Sequence, residues 1–105
     1  MHTPNFITMN KALSYVNCFD KLDLASLEGS VVLIPQADPG FDWLFGHKIG
    51  GLITQYGGAN SHMAIRAAEM SLPAAIGVGE SLYEQISKMK LVELDCANQI
   101  IREVL

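Results

Sequence analysis

The sequence predicts an α/β fold: a compact domain with a mixed sheet and covering helices. Three observations carry this. Short apolar, β-branched runs alternate with helix-forming segments from about residue 31 to residue 90. Two strand-like runs with only four residues between them close the sequence. The length of 105 residues, half of them apolar, suits one domain over 1–105, burying roughly 60 to 70% of the surface its unfolded chain exposes.

The elements follow in order. Within "NFITMNKALSYVNCFD", the pieces "NFIT" and "LSYVN" are β-like, while Ala12 and Leu13 equally fit the opening of a helical turn. "SLEGSVVLIPQADPG" gives a Gly-Ser turn, a buried strand at Val31–Ile34 and a breaker cluster from Pro35 to Gly40. Asp38 as N-cap and Pro39 at the first helical position predict a helix through "GFDWLFGHK", with Gly46 as its terminator. "IGGLITQYGG" is a second short buried strand closing on Gly57 and Gly58. "HMAIRAAEM" is strongly helix-forming until Ser71 and Pro73 stop it, and "PAAIGVG" is a third strand. "ESLYEQISKMK" predicts a helix with acid early and lysine late, as the helix dipole prefers. "KLVELD" and "IIREVL", joined by "CANQ", predict a hairpin.

Composition excludes several classes of function. The net charge is −4 and the seven Lys and Arg are dispersed, whereas binding to a phosphate backbone draws on clustered cations. No nucleic-acid partner is expected. Cys18 and Cys96 lie far apart without metal-ligand spacing, so they read as reduced thiols of a cytoplasmic protein and no metal site is expected. No run of about 18 apolar residues and no leader-like start is visible, so no membrane partner is expected. Gly77-Val-Gly79 lacks the third glycine of a dinucleotide fingerprint, and there is no Walker A sequence.

The chemistry concentrates in "YGGANSHMAI", residues 56–65. Gly57 and Gly58 let the backbone turn or approach a ligand closely. Asn60 or Ser61 can cap the helix that follows, which places His62 in its first turn. A helix N-terminus offers unpaired N–H donors and about half a positive charge, which suits phosphate. A neutral imidazole is a competent nucleophile, so His62 could accept a phosphoryl group whose oxygens the helix end then holds. A histidine at a helix start also serves as an ordinary surface or capping residue, and spacing does not choose between the two. His47, after Gly46, fits a C-terminal cap. His2 sits at a terminus. Asp38 and Asp42 fit capping and solvation as well as an acidic site, and Trp43 and Phe45 read as packing residues.

The run "GGLITQYGGANSHMAIRAAEMSLPAAIGVG" resembles the swivelling phosphohistidine domain of the phosphoenolpyruvate-utilising enzymes, such as pyruvate phosphate dikinase and phosphoenolpyruvate synthase. Their pattern is roughly G-I-V-T-x-x-G-G-x-T-S-H-A-A-I-x-A-R-x-x-G-I-P-A-V-V-G. This chain matches it at Gly51, Ile53, Thr54, Gly57, Gly58, Ser61, His62, Ala64, Ile65, Ala67, Leu72, Pro73, Ala74, Ile76 and Gly77. "VVLIPQADPG" and "LVELD" extend the resemblance to about residues 27–104. It implies a compact β/β/α swivelling domain in which His62 is phosphorylated, with Gly57, Gly58, Asn60, Ser61, Thr54 and Arg66 as phosphate-binding or supporting residues. It also implies a phosphotransferase of kinase or dikinase type, of which this domain is one incomplete part. An ATP-grasp domain would supply the phosphoryl group, with ATP and Mg²⁺ bound there and no cofactor on this domain alone. An acceptor-binding domain, in the same chain or separate, would present pyruvate or another small molecule, an amide such as glutamine included.

Two positions depart from the pattern. The usual Thr before Ser-His is Asn60, and the usual Arg six residues after the histidine is Ala68. Arg66, four residues after His62, lies on the same helical face and could replace that contact, or could simply be solvated near Glu69. These departures leave room for a non-catalytic binding or regulatory module on the same fold. A carrier taking its phosphoryl from phosphoenolpyruvate, as in the sugar phosphotransferase system, is a third expectation. The loop details look closer to small-molecule kinases that make a glutamine phosphoramidate.

Overall fold

The computed structural model describes residues 3–104; His2 lies outside them. Seven strands form one curled sheet in the order β1-β5-β4-β3-β2-β6-β7. Its middle is parallel: β2 (Lys11–Cys18), β3 (Val31–Gln36), β4 (Gly51–Tyr56) and β5 (Ala74–Ile76) run the same way. β1 (Asn5–Ile7) closes one edge antiparallel to β5. The hairpin of β6 (Leu91–Asp95) and β7 (Ile100–Glu103) closes the other.

Alternation along the central strands builds two cores. Val32 and Ile34 of β3, Leu52 of β4, and Ala74 and Ile76 of β5 face one side. There they meet Met63, Ala64 and Ala67 of α1 (His62–Glu69) and Leu44 and Phe45 of the segment between β3 and β4. Val31, Leu33, Ile53 and Ala75 face the other side, against Val92 and Leu94 of β6 and Ile86 of α2 (Glu80–Ser87). The layers are therefore α1, the parallel strands, and the folded-over hairpin with α2. This is a mixed sheet with helices on both faces, as the sequence predicts.

β2 ties the two ends of the sheet together. Its first half, Lys11–Tyr15, pairs with β6, and Val16–Cys18 pair with β3. Ala12 and Leu13 thus belong to a strand and open no helical turn. β3 runs on through Pro35 and Gln36, beyond the expected break. β2 has already ended, with Cys18 opposite Leu33, so on that flank the missing N–H of Pro35 breaks no ladder bond.

One helix type and two boundaries differ from expectation. Pro39–His47 is a 3-10 helix, capped by the Asp38 carboxylate, which accepts from the Gly40 amide at 2.9 Å. Two glycines within nine residues weaken a regular α-helix there. It ends at Lys48 in the left-handed conformation, φ 54°, two residues past Gly46. α2 ends at Ser87, so the late lysines lie at and beyond its C-cap, Lys88.

Candidate functional site

The site is assembled by two consecutive connections on the same face of the sheet. One is the 3-10 segment joining β3 to β4; the other is the glycine-rich turn and α1 joining β4 to β5. Carboxyl ends of parallel strands are where open α/β sheets present ligand sites.

Gly57 begins the turn at φ 131°, and a Cβ placed there would lie 2.6 Å from the Ala37 Cβ. Gly58 has open space around it. Thr54, wholly buried, anchors the approach: its hydroxyl donates to the Tyr56 carbonyl at 2.9 Å and accepts from the Gly77 amide at 2.9 Å. It fastens the end of β4 to the turn after β5, and its burial keeps it from reaching a bound anion. Of the two possible caps, Ser61 is the one used. Its Oγ accepts from the Ala64 amide at 3.4 Å and donates to the Gly58 carbonyl at 2.7 Å. Asn60 is exposed beside it.

His62 opens α1, and the first intrahelical bond runs from the Ile65 amide to the Ser61 carbonyl. The amides of His62 and Met63 therefore have no intrahelical acceptor. The His62 side chain is 36% exposed, and its Nε2 lies 2.7 Å from Asp42 Oδ1. Arg66 Nε donates to the same oxygen at 3.0 Å, while its terminal nitrogen reaches Glu69 at 3.2 Å. The guanidinium also lies 5.3 Å over the Phe45 ring. Arg66 is thus one turn beneath His62, held on three sides.

Hydrogen bonds from His62 and then Arg66 hold the Asp42 carboxyl below its ordinary value. Asp42 and Glu69 in turn strengthen the charge on Arg66. Asp42 is the residue whose place the sequence alone does not disclose. It reads as a solvated aspartate, and its partners stand 20 and 24 residues further on. Next to it, Trp43 is 43% exposed with its ring edge-on to His47, and Phe45 is buried. Among the described residues, no group of three or more His, Cys, Asp or Glu could hold a metal ion. No helix there is long and apolar enough to cross a membrane.

Comparison with known proteins gives a consistent picture. A phosphoenolpyruvate-protein phosphotransferase of Haloferax volcanii is 43% identical over 65 residues, which are 60% of this chain and 12% of that protein. A phosphoenolpyruvate synthase of Aquifex aeolicus is 31% identical over 70 residues, 67% of this chain and 8% of its own length. The chain thus spans a small fraction of either relative. The family profile described as "PEP-utilising enzyme, mobile domain" matches residues 26–99, from the turn before β3 to the hairpin connection, and takes in the whole of the His62 turn and α1. With well over half of its length matched, the chain belongs to the mobile-domain family of the phosphoenolpyruvate-utilising enzymes.

Proposed function

We propose that the chain is a phosphoryl carrier, that His62 is the residue that carries the group, and that it works as one part of a phosphotransferase. The observation that supports this reading is the placement of His62. It is a partly exposed imidazole on the first turn of α1, beside free helix amides and with a cation one turn below. In the forward step an imidazole nitrogen lone pair attacks phosphorus, an N–P bond forms, and the donor's P–O bond breaks with its electron pair leaving on oxygen. The proton on the other ring nitrogen passes to solvent. The helix-end amides and Arg66 are placed to hold the phosphoryl oxygens. In the second step an acceptor oxygen or nitrogen attacks phosphorus and the imidazole leaves.

The donor in this reading is ATP on an ATP-grasp domain, which transfers its β-phosphoryl group in the dikinase-like members. Mg²⁺ belongs to that domain, because metal and cationic clamps stabilise most of the charge in phosphoryl transfer. The acceptor is a small molecule on a further domain, pyruvate or an amide such as glutamine. The Haloferax relative, named a phosphoenolpyruvate-protein phosphotransferase, favours phosphoenolpyruvate as the alternative donor.

The test is to incubate the chain, and separately His62→Ala, with extract of the source cell and either ATP labelled at the β or γ position or labelled phosphoenolpyruvate. Acid-labile label from the β position, absent in His62→Ala, supports the kinase type. Label from phosphoenolpyruvate alone moves the chain to the sugar-transport type. No label on His62 from any donor, in an extract competent with known substrates, refutes the carrier reading and leaves a binding module.

A further inference from the structure

Asp42 Oδ1 lies between His62 Nε2, at 2.7 Å, and Arg66 Nε, at 3.0 Å. A phosphoryl oxygen on His62 would need that same place. We propose that Asp42 is an internal stand-in for the phosphoryl group: its carboxylate occupies the phosphoryl-oxygen position in the resting state and gives up Nε2 and Arg66 together when a phosphoryl group arrives. The inference rests on the reading of His62 as the accepting residue and adds what must move before it can react.

Several features of the structure support the exchange. Phosphorus cannot approach Nε2 while a carboxylate oxygen is in hydrogen-bond contact with it. Asp42 is able to leave, since its side chain is 42% exposed, while Leu44 and Phe45 hold the rest of the 3-10 segment in the core. Arg66 stays in place when Asp42 withdraws, because Glu69 and the Phe45 ring hold it independently. Charge drives the exchange to completion. The phosphoryl dianion and the carboxylate repel each other, and Arg66 passes from the weaker anion to the stronger one. Asp42 is therefore a positioning residue that sets when His62 is available.

Phosphoramidate tests this without any partner domain. When Asp42 withdraws, the ring proton it held on Nε2 moves through water to Nδ1; the His62 Nε2 lone pair then attacks phosphorus, the P–N bond to ammonia breaks, and the Nδ1 proton leaves through water as ammonium forms. The native chain and Asp42→Asn are treated with phosphoramidate, and phosphorylation of His62 is followed by peptide mass spectrometry with exposed His47 as the internal reference. Nitrogen-15 and phosphorus-31 spectra identify the modified nitrogen. Asp42→Asn keeps the side-chain shape but removes the charge. His62 is expected to react roughly two- to fivefold faster relative to His47, the factor an exposed ion pair carries, with phosphorus on Nε2 in both proteins. Asp42→Ala should accelerate it in the same direction, and matched denaturation midpoints would show that neither change acts through folding.

Unchanged or slower reaction in Asp42→Asn would overturn the proposal, as would native product carrying phosphorus on Nδ1. So would an inert His62 in both proteins while His47 reacts, because something other than Asp42 then shields the ring. If the phosphoramidate result holds but no cellular donor labels His62, the carrier reading fails and the shielding role of Asp42 stands.

Discussion

Adjacent glycines at the entrance to the His62 turn should respond in opposite ways to the same substitution. At Gly57 the backbone has φ 131°, and an added Cβ would lie 2.6 Å from the Ala37 Cβ and 3.3 Å from the Ile76 side chain. Forcing a non-glycine residue into that conformation costs about 1–3 kcal/mol, and the overpacking costs about 1–3 kcal/mol more. Gly57→Ala should therefore lose about 2–6 kcal/mol, a fall in Tm on the order of 10 to 50 °C for a domain of this size. Gly58 has no heavy atom within 4 Å of an added Cβ, so Gly58→Ala should stay within about 0.5 kcal/mol of native or gain slightly from a stiffer unfolded chain. Urea denaturation followed by circular dichroism measures both. Ala37→Gly in the Gly57→Ala background separates the two causes. It removes the nearest contact but leaves the backbone strain, so a favourable coupling of about 1–3 kcal/mol is expected. A Gly57→Ala protein within about 0.5 kcal/mol of native, or a Gly58→Ala protein equally damaged, would refute this account of the turn.

Other expectations follow from the same geometry. Thr54→Val keeps the shape but removes the hydroxyl that bonds Tyr56 and Gly77; a loss of about 1–3 kcal/mol should appear in denaturant melts. Ser61→Ala removes the cap of α1 and should cost about 0.5–2 kcal/mol, with faster hydrogen exchange confined to the first turn of that helix. Glu93, bonded by Arg102 and by Lys11 at 3.3 Å, is held below its ordinary value by Arg102 first and Lys11 second. Its contribution to folding is complete above the unfolded carboxylate range near pH 4 and lost as pH falls through the lowered folded value. The stability gap between native and Glu93→Gln should accordingly be largest at neutral pH and close on acidification. Burial raises the Cys18 and Cys96 thiols, so alkylation near neutral pH should be slow at both, and slower at fully packed Cys96.

Much of the fold is legible in the sequence because it is local. The run 31–34, the run 51–56 and the terminal hairpin announce themselves by apolar patterning and turn residues. Ser61 and Ser71 bracket α1 almost to the residue. What is not legible depends on contacts between segments. Lys48 ends the 3-10 segment although a lysine carries no such preference. Pro35 continues a strand because of where another strand stops. Thr54 sits in the family pattern, and only its burial shows that its hydroxyl is spent on fastening Tyr56 to Gly77. The same holds for the site. His62 and the glycine turn carry a recognisable pattern, and Arg66 can be placed by helical spacing. Asp42 joins them only because the β3–β4 connection packs along α1.

The division of β2 between two ladders governs how the domain comes apart. One ladder holds the hairpin, with Val92 and Leu94 buried on its inner face; the other supports β3 and, through it, the face carrying α1. Neither ladder can open without exposing the side chains of the other, so the seven strands should melt as a single two-state unit with slow, uniform amide exchange in their centres. A unit of this kind transmits displacement rather than absorbing it. As one such unit, the fold keeps His62, Arg66 and the glycine turn in one fixed relation however the domain as a whole is displaced.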